Sequence, residues 1–140
     1  MNREMLNQFV SVTASLLKKG GKVSILNPGE HTHESFAQYV GTPTQERPLI
    51  GTYQFIIPRY PCQDFDEGLV IKTTENGTFK INYYEVKIDT LNEVFVENGF
   101  SPLVKREFLV SDNVPAEFQD EIKHFNDLQT IVHFEATLLK

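Results

Sequence analysis

The residues best suited to chemistry stand together as His31-Thr32-His33-Glu34. On an extended backbone, histidines two apart can aim at one ion, and Glu34 can complete three ligands while a fourth position stays open for water. Such a set would support metal-assisted hydrolysis by a divalent ion. It lacks the longer spacing that makes a metal motif specific, and hydrated loop side chains account for the same residues. His133 and Glu135 form a second pair. Alternation along a strand places them on one face about 7 Å apart, as a base and an orienting carboxylate or as part of a solvated sheet face. His124 has Asp120, Glu121 and Asp127 within one helical turn, which favours its protonated form without requiring a function. The only cysteine, Cys62, sits between Arg59 and the acids Asp64, Asp66 and Glu67. A reactive thiolate needs positive surroundings, so a buried structural thiol is expected.

The chain has no Gly-rich phosphate loop, no Gly-x-Ser-x-Gly elbow, no His-Glu-x-x-His pair and no Cys-x-x-Cys. Nucleotide and serine hydrolysis therefore lose their usual sequence support. The net charge of −6 opposes a phosphate backbone, so nucleic acid is not an expected partner. Five acids against Lys123 between Asp112 and Asp127 predict an acidic, water-facing helix. No stretch reaches the ~18 apolar residues of a membrane span and no signal peptide is legible, so neither a membrane nor export is expected. One cysteine excludes an internal disulfide, and the expectation is a cytoplasmic protein.

The elements that must position these residues follow from periodicity. The length of 140 residues, with eleven Phe and five Tyr, suits one globular domain spanning 1–140 with an aromatic-rich core. Met5, Leu6, Phe9, Val12, Leu16 and Leu17 predict an amphipathic helix over 3–19, closed by Gly20-Gly21 as a left-handed cap. Lys22 to Leu26 reads as a strand. A long connection over 27–48 follows, holding one or two helical turns around Phe36, Tyr39 and Val40. Leu49 to Ile57 is a strand, and Arg59 to Glu67 is a second irregular stretch.

Asn76-Gly77 between two strand-like runs predicts a type I′ hairpin centred on that pair. Apolar parity then changes from Phe79, Ile81, Tyr83 to Tyr84, Val86, Ile88, which implies either a bulge or a strand buried on both faces. Thr90 to Glu93 matches a capping box opening a helix over 91–97. Leu103 to Val110 is a strand, and Pro115 opens a helix with Phe118, Ile122 and Phe125 buried. In 130–139, Val132, Phe134, Ala136 and Leu138 alternate with polar neighbours.

The fold class predicted is α+β: a mostly antiparallel sheet of five or six strands, with the N-terminal helix and one in the C-terminal half packed on one face. A mixed sheet with one parallel pair is the alternative. Two irregular stretches on a well-specified scaffold suggest a small acidic binding or interaction protein without catalytic activity, of the inhibitor, immunity or phage-accessory kind. Its protein partner or small ligand would meet Tyr39, Arg47, Arg59 and Tyr60. No cofactor is expected on this reading, and homo-oligomerisation stays open. The alternative is a metal-dependent hydrolase using His31, His33 and Glu34.

Overall fold

A computed structural model describes residues 1–28, 52–59, 61–74, 76–111, 113–127 and 131–140, with the backbone alone at 28, 52–55, 74, 121, 124 and 125. The chain runs α1 (Arg3–Leu16), β1 (Lys22–Pro28), β2 (Thr52–Ile56), β3 (Glu67–Thr74), β4 (Gly77–Tyr84), α2 (Ile88–Glu97), β5 (Val104–Arg106), a 3-10 turn over Ala116–Phe118, α3 (Gln119–Asp127) and β6 (Ile131–Thr137). The fold is α+β, and every strand pair described is antiparallel. The strands form two three-stranded sheets, ordered β1-β6-β5 and β2-β3-β4. No described helix is long and apolar enough to cross a membrane.

The core lies between the first sheet and the helices α1 and α2. Leu6 and Val10 of α1 and Leu91, Val94 and Phe95 of α2 pack with Phe100, Ala136 and Leu138. Strand β6 alternates as its sequence demands, with Val132, Phe134 and Ala136 buried and their neighbours half-buried. Register places Val23 beside Ala136 and Ile25 beside Phe134 on this inner face. Ser24, Leu26, His133 and Glu135 thereby share the outer face.

Helix α2 ends in a Schellman motif. The Phe100 amide donates to the Phe95 carbonyl and the Gly99 amide to the Val96 carbonyl, while Gly99 takes a φ of +86°. The accompanying apolar contact is the Phe95–Phe100 ring pair, with centroids 5.1 Å apart. The chain then runs beside β6, where the Ser101 amide donates to the Thr137 carbonyl and the Ser101 hydroxyl accepts from the Thr137 amide.

Several local expectations are corrected. Helix α1 stops at Leu16, with extended Leu17 as its cap. Gly20 and Gly21 instead bond the Leu138 backbone, which draws the chain out of the helix early. The apolar residues of α1 also do not form one buried face: Leu6 and Val10 are buried, while Met5, Phe9, Val12 and Leu16 are exposed. The hairpin is not centred on Asn76-Gly77, because Gly77 already pairs with Thr74 as the first residue of β4. Gly77 opens β4 at a φ of +139°.

The change of apolar parity needs neither a bulge nor a doubly buried strand. The β3–β4 ladder is regular as far as Glu67 and Tyr84, where β4 ends, and Val86 and Ile88 pack on the core beyond it. Helix α2 begins at Ile88, three residues before the position a Thr90 capping box would give. Strand β5 spans only Val104–Arg106. Farther on, Asn126 grips the Val110 backbone from α3, accepting from its amide and donating to its carbonyl, both at 2.8 Å. Ile122 is buried and Phe118 half-buried, while Glu117, Asp120 and Asp127 face water.

Candidate binding surface

The irregular stretch between β2 and β3 is a hydrogen-bonded clasp. Arg59 meets Asp66 through two parallel contacts, Nε to Oδ2 and a terminal nitrogen to Oδ1, each 2.9 Å. Its other terminal nitrogen reaches the Gln63 side-chain carbonyl at 3.2 Å. The Gln63 amide donates to Asp66 Oδ2, and the Asp66 amide donates back to the Gln63 carbonyl. A bidentate carboxylate pair orients a guanidinium far better than one contact does. Arg59, expected to meet a partner, is thus half-exposed but already held by residues four and seven positions along the chain.

Asp64 docks this clasp on α2. Its two oxygens accept from the Lys87 amide at 2.6 Å and the Thr90 hydroxyl at 2.5 Å. Lys87 is the N-cap residue of α2 and caps nothing with its own side chain. A carboxylate from elsewhere therefore fills the place that Thr90 and Glu93 would have filled as a capping box, and its charge suits the helix N-terminus. Phe65 follows at a φ of +66°, the only described non-glycine residue in the left-handed region. That conformation lets its amide donate to the Glu85 carbonyl while its ring packs against the core.

Cys62 is buried behind the clasp, its thiol donating to the Arg59 carbonyl. Burial first, then the charges of Glu85 and Asp66, push the thiol above its ordinary pKa, and Arg59 only partly opposes them. The surroundings thus disfavour a thiolate nucleophile, as the neighbouring acids suggest. Tyr83 feels Glu85 as well. Burial, then Glu85 and Cys62, push its phenol up to about 12. Its ring lies over Gly68, the residue paired with it across the ladder, and a Cβ there would come within 2.4 Å of the ring.

Beyond Tyr83 the same sheet face carries Phe79 and Ile81, and here the apolar side chains are open to water. They are 53% and 54% exposed, on a strand that forms one edge of its sheet among the described residues. Ile81 pairs with Val70 and Phe79 with Lys72, so apolar side chains and the stem of one lysine share the face. On the opposite face Thr78, Lys80 and Asn82 alternate with them and are exposed as well.

The outer face of the first sheet holds His133 and Glu135 as expected, but not as partners. Glu135 is paired with Arg106 at 3.0 Å, and that hydrogen bond above all lowers its pKa. His133 Nε2 instead meets the Ser24 hydroxyl at 2.8 Å, a pairing across strands that spacing along the chain could not reveal. A serine beside a histidine has the form of a nucleophile and its base. Acyl transfer also needs donors for a developing oxyanion, and β6, which carries His133, is paired with β1 on one side and β5 on the other.

His31, His33, Glu34, Tyr39, Arg47 and Tyr60 lie outside the described residues, as do the helical turns expected around Phe36. The side chain of His124 does too. Among the described residues, no three His, Cys, Asp or Glu side chains are grouped to hold a metal ion. Sequence reasoning missed Asp64 and Asp66 as the residues that build the clasp, and Ser24 as the neighbour of His133. No protein-family model matches this chain, and no curated protein matches it in sequence.

Proposed function

We propose that this chain is a non-catalytic binding protein whose partner docks on the aromatic face of β4. The observation that carries the proposal is the exposure of Phe79 and Ile81 side by side on an edge strand. Covering each would stabilise a complex by about 2 kcal/mol from the apolar area removed from water. Leaving both in water gives nothing to the fold of the isolated chain. An edge strand also offers backbone groups to an extended peptide, and alternate side chains supply its specificity. Lys80, exposed on the opposite face of β4, offers a cation to a partner segment carrying carboxylates. The clasp that leads into this sheet is tied to α2 through Asp64 and to the core through Phe65.

Native mass spectrometry of untagged protein from its expressing cells, followed by reconstitution with any co-purified protein, tests the reading. A Phe79→Ser, Ile81→Ser variant is expected to lose that partner with its thermal midpoint unchanged. Retention of the partner by this variant would overturn the proposal. So would a retained divalent ion that a His31→Ala, His33→Ala variant no longer holds, which would favour metal-assisted hydrolysis instead.

A further inference from the structure

The tripeptide Glu-Asn-Gly occurs twice, at 75–77 and at 97–99. When glycine follows asparagine, the next backbone nitrogen can attack the side-chain amide with little hindrance, because glycine places no Cβ beside that nitrogen. The same three residues stand at both positions, so a difference in reactivity between them must come from the fold. The fold treats the two very differently.

Asn98 and Gly99 are built into the end of α2. The Asn98 side-chain amide donates to the Val94 carbonyl at 2.8 Å and to Asn7 Oδ1 at 2.7 Å. The attacking nitrogen here would be that of Gly99, which donates to the Val96 carbonyl at 3.0 Å, while the Gly99 carbonyl accepts from the Leu139 amide at 2.9 Å. A Cβ built on Gly99 would stand 3.4 Å from the Lys140 side chain, and the following residue, Phe100, is buried in the core. Attack at Asn98 therefore requires the Schellman motif and its bond to Leu139 to open.

Asn76 is exposed in the turn ahead of β4, and Gly77 is the first residue of that strand. No described atom lies within 4 Å of the Cβ that Gly77 lacks. Its φ of +139° is one that residues with a Cβ rarely adopt, so the turn itself calls for the residue that leaves the nitrogen unshielded. The Thr74–Gly77 pair ends the ladder, where local opening costs least.

We propose that Asn76 is a site of spontaneous deamidation assisted by the backbone, and that Asn98 is its protected counterpart. A base in solvent takes the Gly77 amide proton, the nitrogen bonds to Asn76 Cγ, and the Cγ–Nδ2 bond breaks. Nδ2 takes a proton from solvent and leaves as ammonia. Water then opens the cyclic imide, either at Cγ to give aspartate or at the main-chain carbonyl to give isoaspartate, whose backbone runs through Cβ. Both products add a negative charge to a chain of net charge −6. Isoaspartate also lengthens the connection by one carbon beside the Thr73–Thr78 hydroxyl contact of 3.3 Å, so the outer end of the ladder is what it disturbs.

Peptide mapping of the full chain after storage in mildly alkaline buffer tests the proposal, with an isoaspartate-specific carboxyl methyltransferase as the probe for the rearranged product. In the folded chain Asn76 should convert at least about tenfold faster than Asn98, because the end of a ladder opens far more often than a helix cap tied to the core. In urea the two rates should converge, and Asn76→Gln should remove the fast conversion with an unchanged circular dichroism spectrum. Equal rates in the folded chain would overturn the proposal. So would an Asn76 that stays intact while the unfolded chain converts, or a gap that persists in urea, since the fold would then not be its cause.

Discussion

Replacing Asp64 by alanine removes both hydrogen bonds that fasten the clasp to α2. Each joins a carboxylate oxygen to a neutral donor, at 2.6 Å for the Lys87 amide and 2.5 Å for the Thr90 hydroxyl. Bonds to a charged group contribute about 1.5–3 kcal/mol each, and half-burial of Asp64 places these at the low end because water can replace part of the loss. The carboxylate also interacts with the N-terminal end of the helix dipole. A total of about 3.5 kcal/mol is the expected destabilisation, and in a chain of this length that lowers the thermal midpoint by about 12 °C. Asp64→Asn keeps an acceptor for the Lys87 amide and should lose about half as much. Urea unfolding followed by circular dichroism measures each change. The Thr90→Val background supplies the stricter test: if Asp64 and Thr90 act through one bond, the double variant costs about 1 kcal/mol less than the two single losses together. Additive losses, or less than about 0.5 kcal/mol from Asp64→Ala, would refute the reasoning.

Two further predictions concern the ladder beside the clasp. Gly68→Ala puts a methyl group where the Tyr83 ring now lies, 2.4 Å from two of its carbons. The ring must move, at a cost of about 1–3 kcal/mol. In a Tyr83→Leu background the same substitution should be nearly neutral, and an equal cost in both backgrounds would show that the ring is not the obstacle. Alkaline pH should destabilise the protein through Tyr83. Its folded pKa lies at about 12, above the ordinary phenol value, so the folded state holds a proton that the unfolded state releases. The stabilising contribution is complete below about pH 10 and is lost as pH rises towards 12. Urea midpoints measured from pH 8 upward should therefore fall more steeply for the parent than for Tyr83→Phe, and parallel curves would count against it.

The sequence disclosed what depends on near neighbours. Val132, Phe134, Ala136 and Leu138 announce an inward strand face by alternation alone. It did not disclose what depends on residues far along the chain. The capping box at Thr90 is locally sound, yet Asp64 takes its place from another element. The apolar positions of α1 fit helical spacing, but spacing cannot say which stripe another element will cover. Parity after Tyr83 was misleading because a strand end and a bulge leave the same pattern in one dimension. The site was legible to the same degree. Arg59 stood out as a cation in an irregular stretch, while its hold on Asp66 needs a turn that composition does not specify. The pairing of Ser24 with His133 depends on a register set across more than a hundred residues.

That register also bears on how the chain acquires its fold. Lys22 pairs with Thr137, so the β1–β6 ladder closes a loop of more than a hundred residues, whereas β3 and β4 are neighbours along the chain and pair from Thr74 and Gly77 onward. Closing the larger loop costs about 3 kcal/mol more in chain entropy, and contacts between distant residues slow folding accordingly. During synthesis the hairpin has its partner at once, while β1 waits until almost the whole described chain has emerged. Throughout that interval the inner stripe of α1 lacks the strand that will cover it. The newly made chain therefore presents apolar helix surface on two sides, and its early encounters with other chains differ from those of the finished protein.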